Sequence, residues 1–521
     1  MTSRRSFLLS IAAAAAGMTV GGPAAHAVPL VNIQRRLSLE MAKSYALNGD
    51  KRMFRKLFDV QTAFLGLSWP ATPLVVTDAM SALRRVIDGD PVNRIGFRHV
   101  RRRSLEGARF VVFSDQHIVP SENRQSGVWR ANRDAYTKLL EHYGGQGWVV
   151  VENGDVEDLV ILEPEYTFAM YDRLMRTHAR AANPRVLIEW YRDDPMSLVE
   201  ALKDGRKENR QRQLEQIFAD PGNRDYYQAL KALASSDQLV RLAGNHDYNL
   251  QELTVGEQHL VPIDVLLLEE DRPHFALMHG HQFDQATHPG VAPLYGEVVS
   301  ECLGIWYQGP DRVWSAKQGR RILEGGFPNR LSTHKGAHRG GGMPGRFLGA
   351  LLSSQESDDE EWALAWESLF GHPIAWEYGA RDWTSAVQGH LARPGDLVED
   401  AMIGRQFFKF RHLDEWEILR GLNLWDIDVG LALGHSHEVR CHTTGVGKSR
   451  YFNSGAAGRF EKLIWALEIT EAGRVEVVGW FLDDEGSCER VLFHTRETEL
   501  FSYFEPDRTG ERIPVGEGGP S

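Results

Sequence analysis

Five short apolar runs, each stopping at a cluster of polar residues, constrain this 521-residue chain more than any other feature. Phe110-Val111-Val112-Phe113 runs into Ser114-Asp115-Gln116-His117, and Trp148-Val149-Val150-Val151 runs into Asn153-Gly154-Asp155. Leu239-Val240-Arg241-Leu242 precedes Gly244-Asn245-His246-Asp247, and Phe275-Ala276-Leu277-Met278 precedes His279-Gly280-His281. The last, Val429-Gly430-Leu431-Ala432-Leu433, ends at Gly434-His435-Ser436-His437. Runs this short and this continuous fit strands buried on both faces, because a strand with one wet face would alternate polar and apolar residues. Polar residues at the carboxyl ends of such strands stand where open α/β sheets place their sites.

The strand ends supply Asp115, His117, Asp155, Asn245, His279, His435 and His437. These are oxygen and imidazole donors with no thiolate, a mixture that suits Zn, Mn or Fe and argues against a structural cysteine site. The chain has three cysteines, Cys302, Cys441 and Cys488, which allow one disulfide and exclude a disulfide framework. A single Asp-x-His is weak evidence for a metal, since either residue serves as a cap or a hydrogen-bonded core group elsewhere. Five clusters in chain order, each directly after an apolar run, point to one shared centre.

The series Asp115-x-His117, Gly154-Asp155, Gly244-Asn245-His246-Asp247, His279-Gly280-His281 and Gly434-His435-x-His437 resembles the calcineurin-like metallophosphoesterase superfamily. Tyr451-Phe452-Asn453-Ser454-Gly455 resembles the strand and turn that follow the last motif there, so the likeness spans about 109 to 470. It implies an α/β fold of two mixed β-sheets in a sandwich flanked by helices, with helical inserts. It also implies two divalent metal ions (Mn, Fe or Zn), with Asp115, His117, Asp155 and His437 on the first. Asp155, Asn245, His279 and His435 would hold the second, so Asp155 is the bridge, as the two oxygens of a carboxylate permit across about 3.5–4 Å. His246 takes the role of acting on the leaving oxygen, with Asp247 placed to orient its ring. His281 is ambiguous: the first histidine of that block is the ligand in the family pattern, and His281 stands behind it. Purple acid phosphatases carry a tyrosine three residues after the Gly-Asp aspartate; that position here is Asp158, which argues against a tyrosinate-bound ferric centre. The implied activity is hydrolysis of a phosphomonoester or phosphodiester. The rivals are a nuclease on the same metal core and a non-catalytic scaffold, the latter expected to have lost ligands that this chain keeps.

Outside the motifs the chain divides into segments. Residues 1–27 read as a bacterial export signal, with Arg4 and Arg5, an apolar Ala-rich stretch from Phe7 to about Val20, and a small-x-small site at Ala25-His26-Ala27. Ser3-Arg4-Arg5-Ser6-Phe7-Leu8-Leu9 resembles a twin-arginine signal, which implies the twin-arginine export machinery as partner and a periplasmic or extracellular protein; an ordinary secretory signal or an uncleaved anchor are the alternatives. No later stretch reads as a transmembrane helix. Residues 28–106 read as a helical N-terminal segment and 107–480 as the catalytic domain, with helical inserts at about 158–236 and 282–427. The second insert holds a basic Gly-rich stretch (Arg320, Arg321, Arg330, Lys335, Arg339, Arg346) and an acidic run at 356–361; folded over the metals, the basic stretch would clamp a phosphate. Residues 481–521 read as a C-terminal extension, irregular from about Arg508. The net charge is −12, and without residues 1–27 the balance is 57 basic against 71 acidic, which disfavours nucleic acid as partner.

The export reading is tested by replacing both Arg4 and Arg5 with Lys, which keeps the charge and removes the arginine pair. The precursor is expected to accumulate in the cytoplasm, as followed by fractionation and immunoblotting. Unchanged export of the variant would return the signal to the general secretory class.

Overall fold

The structure is a computed structural model, and it describes residues 72–121, 127–162, 164–177, 190, 193–253, 260–284, 287–289, 322–323, 327–328, 413, 415–442, 450–458, 460–497 and 502–515. The export stretch, residues 28–71, Cys302, the basic Gly-rich stretch and the acidic run all lie outside the described residues.

In chain order the first elements are α1 (Thr72–Asp88), β1 (Val100–Ser104), β2 (Phe110–Phe113), α2 (Gly127–Gly145) and β3 (Val149–Asn153). Then come α3 (Pro164–Thr177), α4 (Pro195–Ala219), α5 (Arg224–Ser235), β4 (Leu239–Leu242), β5 (Val265–Glu269), β6 (Pro273–Leu277) and the two-residue β7 (Phe327–Pro328). The last are α6 (Glu415–Leu424), β8 (Gly430–Leu433), β9 (Val439–His442), β10 (Arg450–Ser454), β11 (Leu463–Ile469), β12 (Val475–Leu482), β13 (Ser487–Glu497) and β14 (Ser502–Pro514). All five expected strands form. They fall into two mixed sheets, one ordered β1-β5-β6-β8-β10-β9 and the other β4-β3-β2-β11-β12-β13-β14-β7. No described helix is long and apolar enough to cross a membrane.

The continuous apolar runs follow from burial on two sides. Phe110 and Val112 of β2 join Leu266 and Leu268 of β5, Leu277, Ala432 and Phe452 in one apolar cluster shared by both sheets, the arrangement of a sandwich. The alternate residues face outward: Val111, Phe113 and Val150 pack with Tyr136 and Leu139 of α2, Leu214 of α4 and Tyr226 and Leu230 of α5. On the other sheet Val265, Leu267, Leu431 and Leu433 pack with Val76, Met80 and Leu83 of α1 and with Ile418 and Leu422 of α6. α4 starts where it does because Asp194 caps it, accepting from Ser197 N at 3.2 Å, and Pro195 fits the first turn.

Two expectations change. The segment 28–106 is not wholly helical, because β1 pairs in parallel register with β5 and extends the six-stranded sheet. Its sequence, Val-Arg-Arg-Arg-Ser, carries no apolar run because it is an exposed edge strand. Within the bounds of the two helical inserts, α5 packs on the eight-stranded sheet and α6 on the six-stranded one. From Arg508 as far as Pro514 the chain is not irregular: β14 runs on to Pro514, paired antiparallel to β13. Cys441 and Cys488 are both buried, and no disulfide joins them.

Beneath the strand ends lies a buried ionic cluster that the sequence did not announce. Arg241 on β4 donates from Nε to Glu152 Oε2 at 2.7 Å and from Nη2 to Glu157 Oε2 at 2.6 Å, with all three side chains at most 1% exposed. Its Nη1 donates to Leu260 O at 2.8 Å, and Tyr226 and Tyr227 donate to the two carboxylates. Glu157 lies between Asp155 and Asp158, so this clamp fixes the loop after β3. Arg241→Met would strand two buried carboxylates without counter-charge. It is expected to cost about 3–5 kcal/mol, read by urea unfolding of the metal-free protein; a cost near zero would mean the cluster is not held dry.

Candidate metal centre

Topology gathers the five polar clusters. β4, β3 and β2 are parallel neighbours, so their carboxyl ends share one edge of the eight-stranded sheet. β6 and β8 are parallel neighbours in the other sheet. The two edges are tied together where His435 N donates to Asp115 Oδ2 at 3.1 Å. Asn453 at the end of β10 donates to Gly434 O at 2.7 Å and Ser436 Oγ at 3.0 Å, bracing the loop that carries His435 and His437.

The loops leave the strands abruptly. Asp115, His117, Asp155, His435 and His437 all have left-handed backbone, with φ from 50° to 62°, and they are five of only eight non-glycine residues of that kind among the described residues. Each such residue costs about 1–3 kcal/mol and persists where its surroundings dictate it. The approach is so close that a Cβ on Gly154 would stand 2.6 Å from His279 Nδ1 and 2.8 Å from Gly244 Cα, which explains both glycines.

Three groups of ligand atoms result, each within 4.8 Å: Asp115, His117 and His437; Asp155, His279 and His435; and His117, Asp158 and His246. Asp115 Oδ1 is 3.1 Å from His437 Nε2 and 3.9 Å from both His117 Nε2 and His279 Nε2. Asp155 Oδ2 is 3.1 Å from His279 Nε2 and 4.0 Å from His117 Nε2. Asn245 Oδ1 stands 3.2 Å from His279 Nε2. All seven residues proposed as ligands are therefore brought to one place. The site opens on one side only: His117, His437 and His246 are 21%, 22% and 12% exposed, while His279 is sealed.

These residues fit a cation on three observations. Asp115 Oδ1 is buried with no hydrogen-bond partner, since its contact to His437 is off the hydrogen-bond line. His117 Nε2 and His437 Nε2 face each other at 3.1 Å, and a cation satisfies two imidazole lone pairs at once. Three histidines have the ring nitrogen that points away from the site held by an oxygen: His117 Nδ1 by Asp158 Oδ2 at 3.0 Å, His279 Nδ1 by Asn153 O at 2.7 Å and His435 Nε2 by Asp284 Oδ2 at 2.7 Å. That donation fixes the tautomer and turns a lone pair inward.

Asp158 and Asp284 are the residues that sequence reasoning missed. Asp158 is wholly buried and reaches two histidines, His117 through Oδ2 and His246 through Oδ1, the latter a 2.9 Å ion-pair contact outside ideal hydrogen-bond angles. Its Oδ1 also accepts from Val160 N and Ile161 N at 3.1 and 2.8 Å. Asp247 does not orient His246: its carboxylate accepts from Val156 N at 2.8 Å and Gly244 N at 2.6 Å and so ties two loops together. The only sequence signal for Asp158 was its place three residues after Asp155.

Charge follows the same division. Burial opposes charge on His246, yet Asp158 first and then Asp155 outweigh it and raise its pKa to about 10. Burial likewise opposes ionisation of Asp158, but His246 and His117 hold it well below the usual carboxylate range. Burial, then Asp155 and Glu157, push Asp247 up to about 7. His281 is buried with both ring nitrogens unpartnered, its ring 5.7 Å from that of His279, and burial and the charge of His279 lower its pKa to about 3. It joins none of the three groups.

Compared with models of known protein families and with curated proteins, the chain finds no match.

Metal should therefore stabilise the fold. Mn²⁺ or Zn²⁺ at a hundredfold excess over its dissociation constant is expected to add about 2.7 kcal/mol, seen as a raised thermal midpoint after chelator stripping and reloading. Asp155→Asn should lose most of that gain. A midpoint indifferent to both ions in the wild-type chain would remove the metal centre altogether.

Proposed function

We propose that this chain is a metal-dependent phosphoesterase in which Asp115, His117, Asp155, Asn245, His279, His435 and His437 would hold two divalent cations, Mn, Fe or Zn, at the joined strand ends. The observation that carries the reading is the convergence of Asp115, His117, Asp155, Asn245, His279, His435 and His437, five of them in strained backbone, with Asp115 Oδ1 buried among them and without a hydrogen-bond partner. When bound, the cations supply Lewis-acid polarisation of phosphoryl oxygens and make hydroxide accessible near neutral pH. The remaining work belongs to the side chains. Asn245 contributes a neutral amide oxygen, which limits negative charge on its side of the site. Asp115 and Asp155, almost fully withdrawn from water, give the site a field that a phosphate dianion alone would find repulsive, so anion binding depends on the metals.

Hydrolysis adds water across the P–O bond: the water oxygen joins phosphorus and the leaving oxygen departs with a proton. His246 supplies that proton. It stands on the open side, 12% exposed, with Nδ1 against Asp158 and Nε2 4.0 Å from Asp155 Oδ2, and its high pKa keeps the proton available. Asp158 is the group that holds the ring, and through its other oxygen it holds His117, so acid and ligand share one anchor. The substrate is a phosphomonoester or diester met outside the cytoplasm, the location that the arginine pair and apolar stretch of residues 1–27 support.

The test is a reconstituted screen. Elemental analysis is expected to find close to two metal equivalents, and a panel of nucleotides, head-group diesters and sugar phosphates should contain a substrate. His246→Asn should keep its metals and lose about 10²- to 10⁴-fold in turnover, with alkyl esters suffering most and nitrophenyl esters least. Equal losses on both would remove the acid role. A fully loaded protein inert toward every ester in the panel would refute the phosphoesterase reading.

A further inference from the structure

α1 lies ahead of every motif residue, yet it packs on the strands that carry two of them. Val76, Ala79, Met80 and Leu83 share a core with Phe283, Leu431 and Leu433. Its one acidic side chain aimed at the site loops is Asp78. Asp78 Oδ2 stands 3.1 Å from Nε2 of His288, which is 1% exposed, and Asp78 Oδ1 stands 2.7 Å from Arg94 Nη1. His288 N in turn donates to Asp284 O at 2.9 Å. Asp284, 3% exposed, places Oδ2 2.7 Å from His435 Nε2, with Thr287 Oγ1 farther off at 3.4 Å. The same loop is pinned from its other end, where Gln282 Nε2 donates to Gly96 O at 3.1 Å and Gln282 Oε1 accepts from Gly280 N at 3.1 Å.

We infer that Asp284 is a positioning residue for His435, and that α1, through the Asp78–His288 pair, fixes the loop that carries Asp284, so that the N-terminal helix belongs to the support of the metal centre. The inference rests on the metal-centre reading above. Its physical basis is that His435 stands in left-handed backbone, φ 62°, just past the end of β8, with Asp284 Oδ2 against its Nε2. A carboxylate on Nε2 fixes the ring's rotation, leaves Nδ1 as the lone pair for a cation and raises its basicity. Among the described residues from His281 to His288 the turn His281–Phe283 is the regular piece. Contacts with neighbouring elements set where these residues stand, and α1 is one of those elements, through Phe283 and His288.

The experiment uses the full chain, stripped with a chelator and titrated with Mn²⁺ and with Zn²⁺ by competition calorimetry. Asp284→Asn, which removes the charge, and Asp284→Ala, which removes the acceptor, should each weaken one metal equivalent by about 10- to 100-fold. The thermal midpoint of the metal-free protein should move by no more than a few degrees, and the visible spectrum of the Co²⁺-loaded variants should differ from wild type. Asp78→Asn should weaken the same equivalent less. The double variant Asp78→Asn with Asp284→Ala should be no weaker than Asp284→Ala alone, because both act through one contact. Wild-type affinity in both Asp284 variants overturns the positioning role, as does a loss matched by an equal collapse of the metal-free fold. Independent, multiplying losses in the double variant overturn the link through α1. Metal affinity is read without any phosphate ester, so these outcomes are separate from whether the chain hydrolyses one.

Discussion

Three carboxylates withdrawn from water at one point, Asp115, Asp155 and Asp158, set the terms for everything around them. Buried like charges repel, and each carboxyl left alone would take up a proton instead of staying ionised. Here the opposite holds. Burial raises the pKa of Asp155, but His279 and His246 outweigh it and bring it well below the usual range, and Asp158 is lowered likewise. The positive charge that keeps them ionised comes from the imidazoles. A cation bound here would take the place of their protons, so metal binding would release protons.

The two aspartates flanking His246 in space show how position decides fate. Asp158 faces two imidazoles and stays charged, whereas Asp247 faces Asp155 and Glu157 and is pushed up to about 7. Asp247 compensates with two backbone amides, Val156 N and Gly244 N, which belong to the loops after β3 and β4. The role expected of Asp247 thus falls to Asp158, and Asp247 instead joins the two loops whose glycines, Gly154 and Gly244, meet back to back. Arg241 carries the same logic one layer down, where Glu157 would otherwise add another uncompensated charge behind the centre.

The legible part of this protein was the part in which burial leaves a local mark. A strand covered on both faces is apolar except where a buried partner offsets a charge, as for Glu152 and Arg241, so β2, β3, β4, β6 and β8 stood out, and with them all seven ligand candidates at their ends. β1 and β14 left no such mark. β1 is an exposed edge strand of three arginines, and β14, with Pro506 and Gly510, is largely exposed and pairs with β13 across a register shift. Asp158, Asp284 and Arg241 were illegible for another reason. What makes them matter is a partner 41, 151 or 89 residues away, and nothing in the local pattern records a contact at that separation. Asp158 and His246 belong to different loops of parallel neighbours, so only the strand order places them face to face.

The strained backbone closes the argument between site and fold. Five left-handed residues at about 1–3 kcal/mol each amount to on the order of 5–15 kcal/mol, which rivals the net stability of an ordinary domain. Asp tolerates that conformation better than most residues, which trims the cost without removing it. The rest must be offset by the strands that end at these residues. β2 is clamped between β3 and β11, and β8 between β6 and β10, each with one face in the inter-sheet core and the other under helices. A strand with one wet face would have room to shift by a fraction of a residue and relax the turn at its end. A strand packed on both faces has none, so the turn stays strained and the side chains stay converged. The unbroken apolar runs and the polar clusters that interrupt them are on this account one feature: the second can be held only where the first is complete.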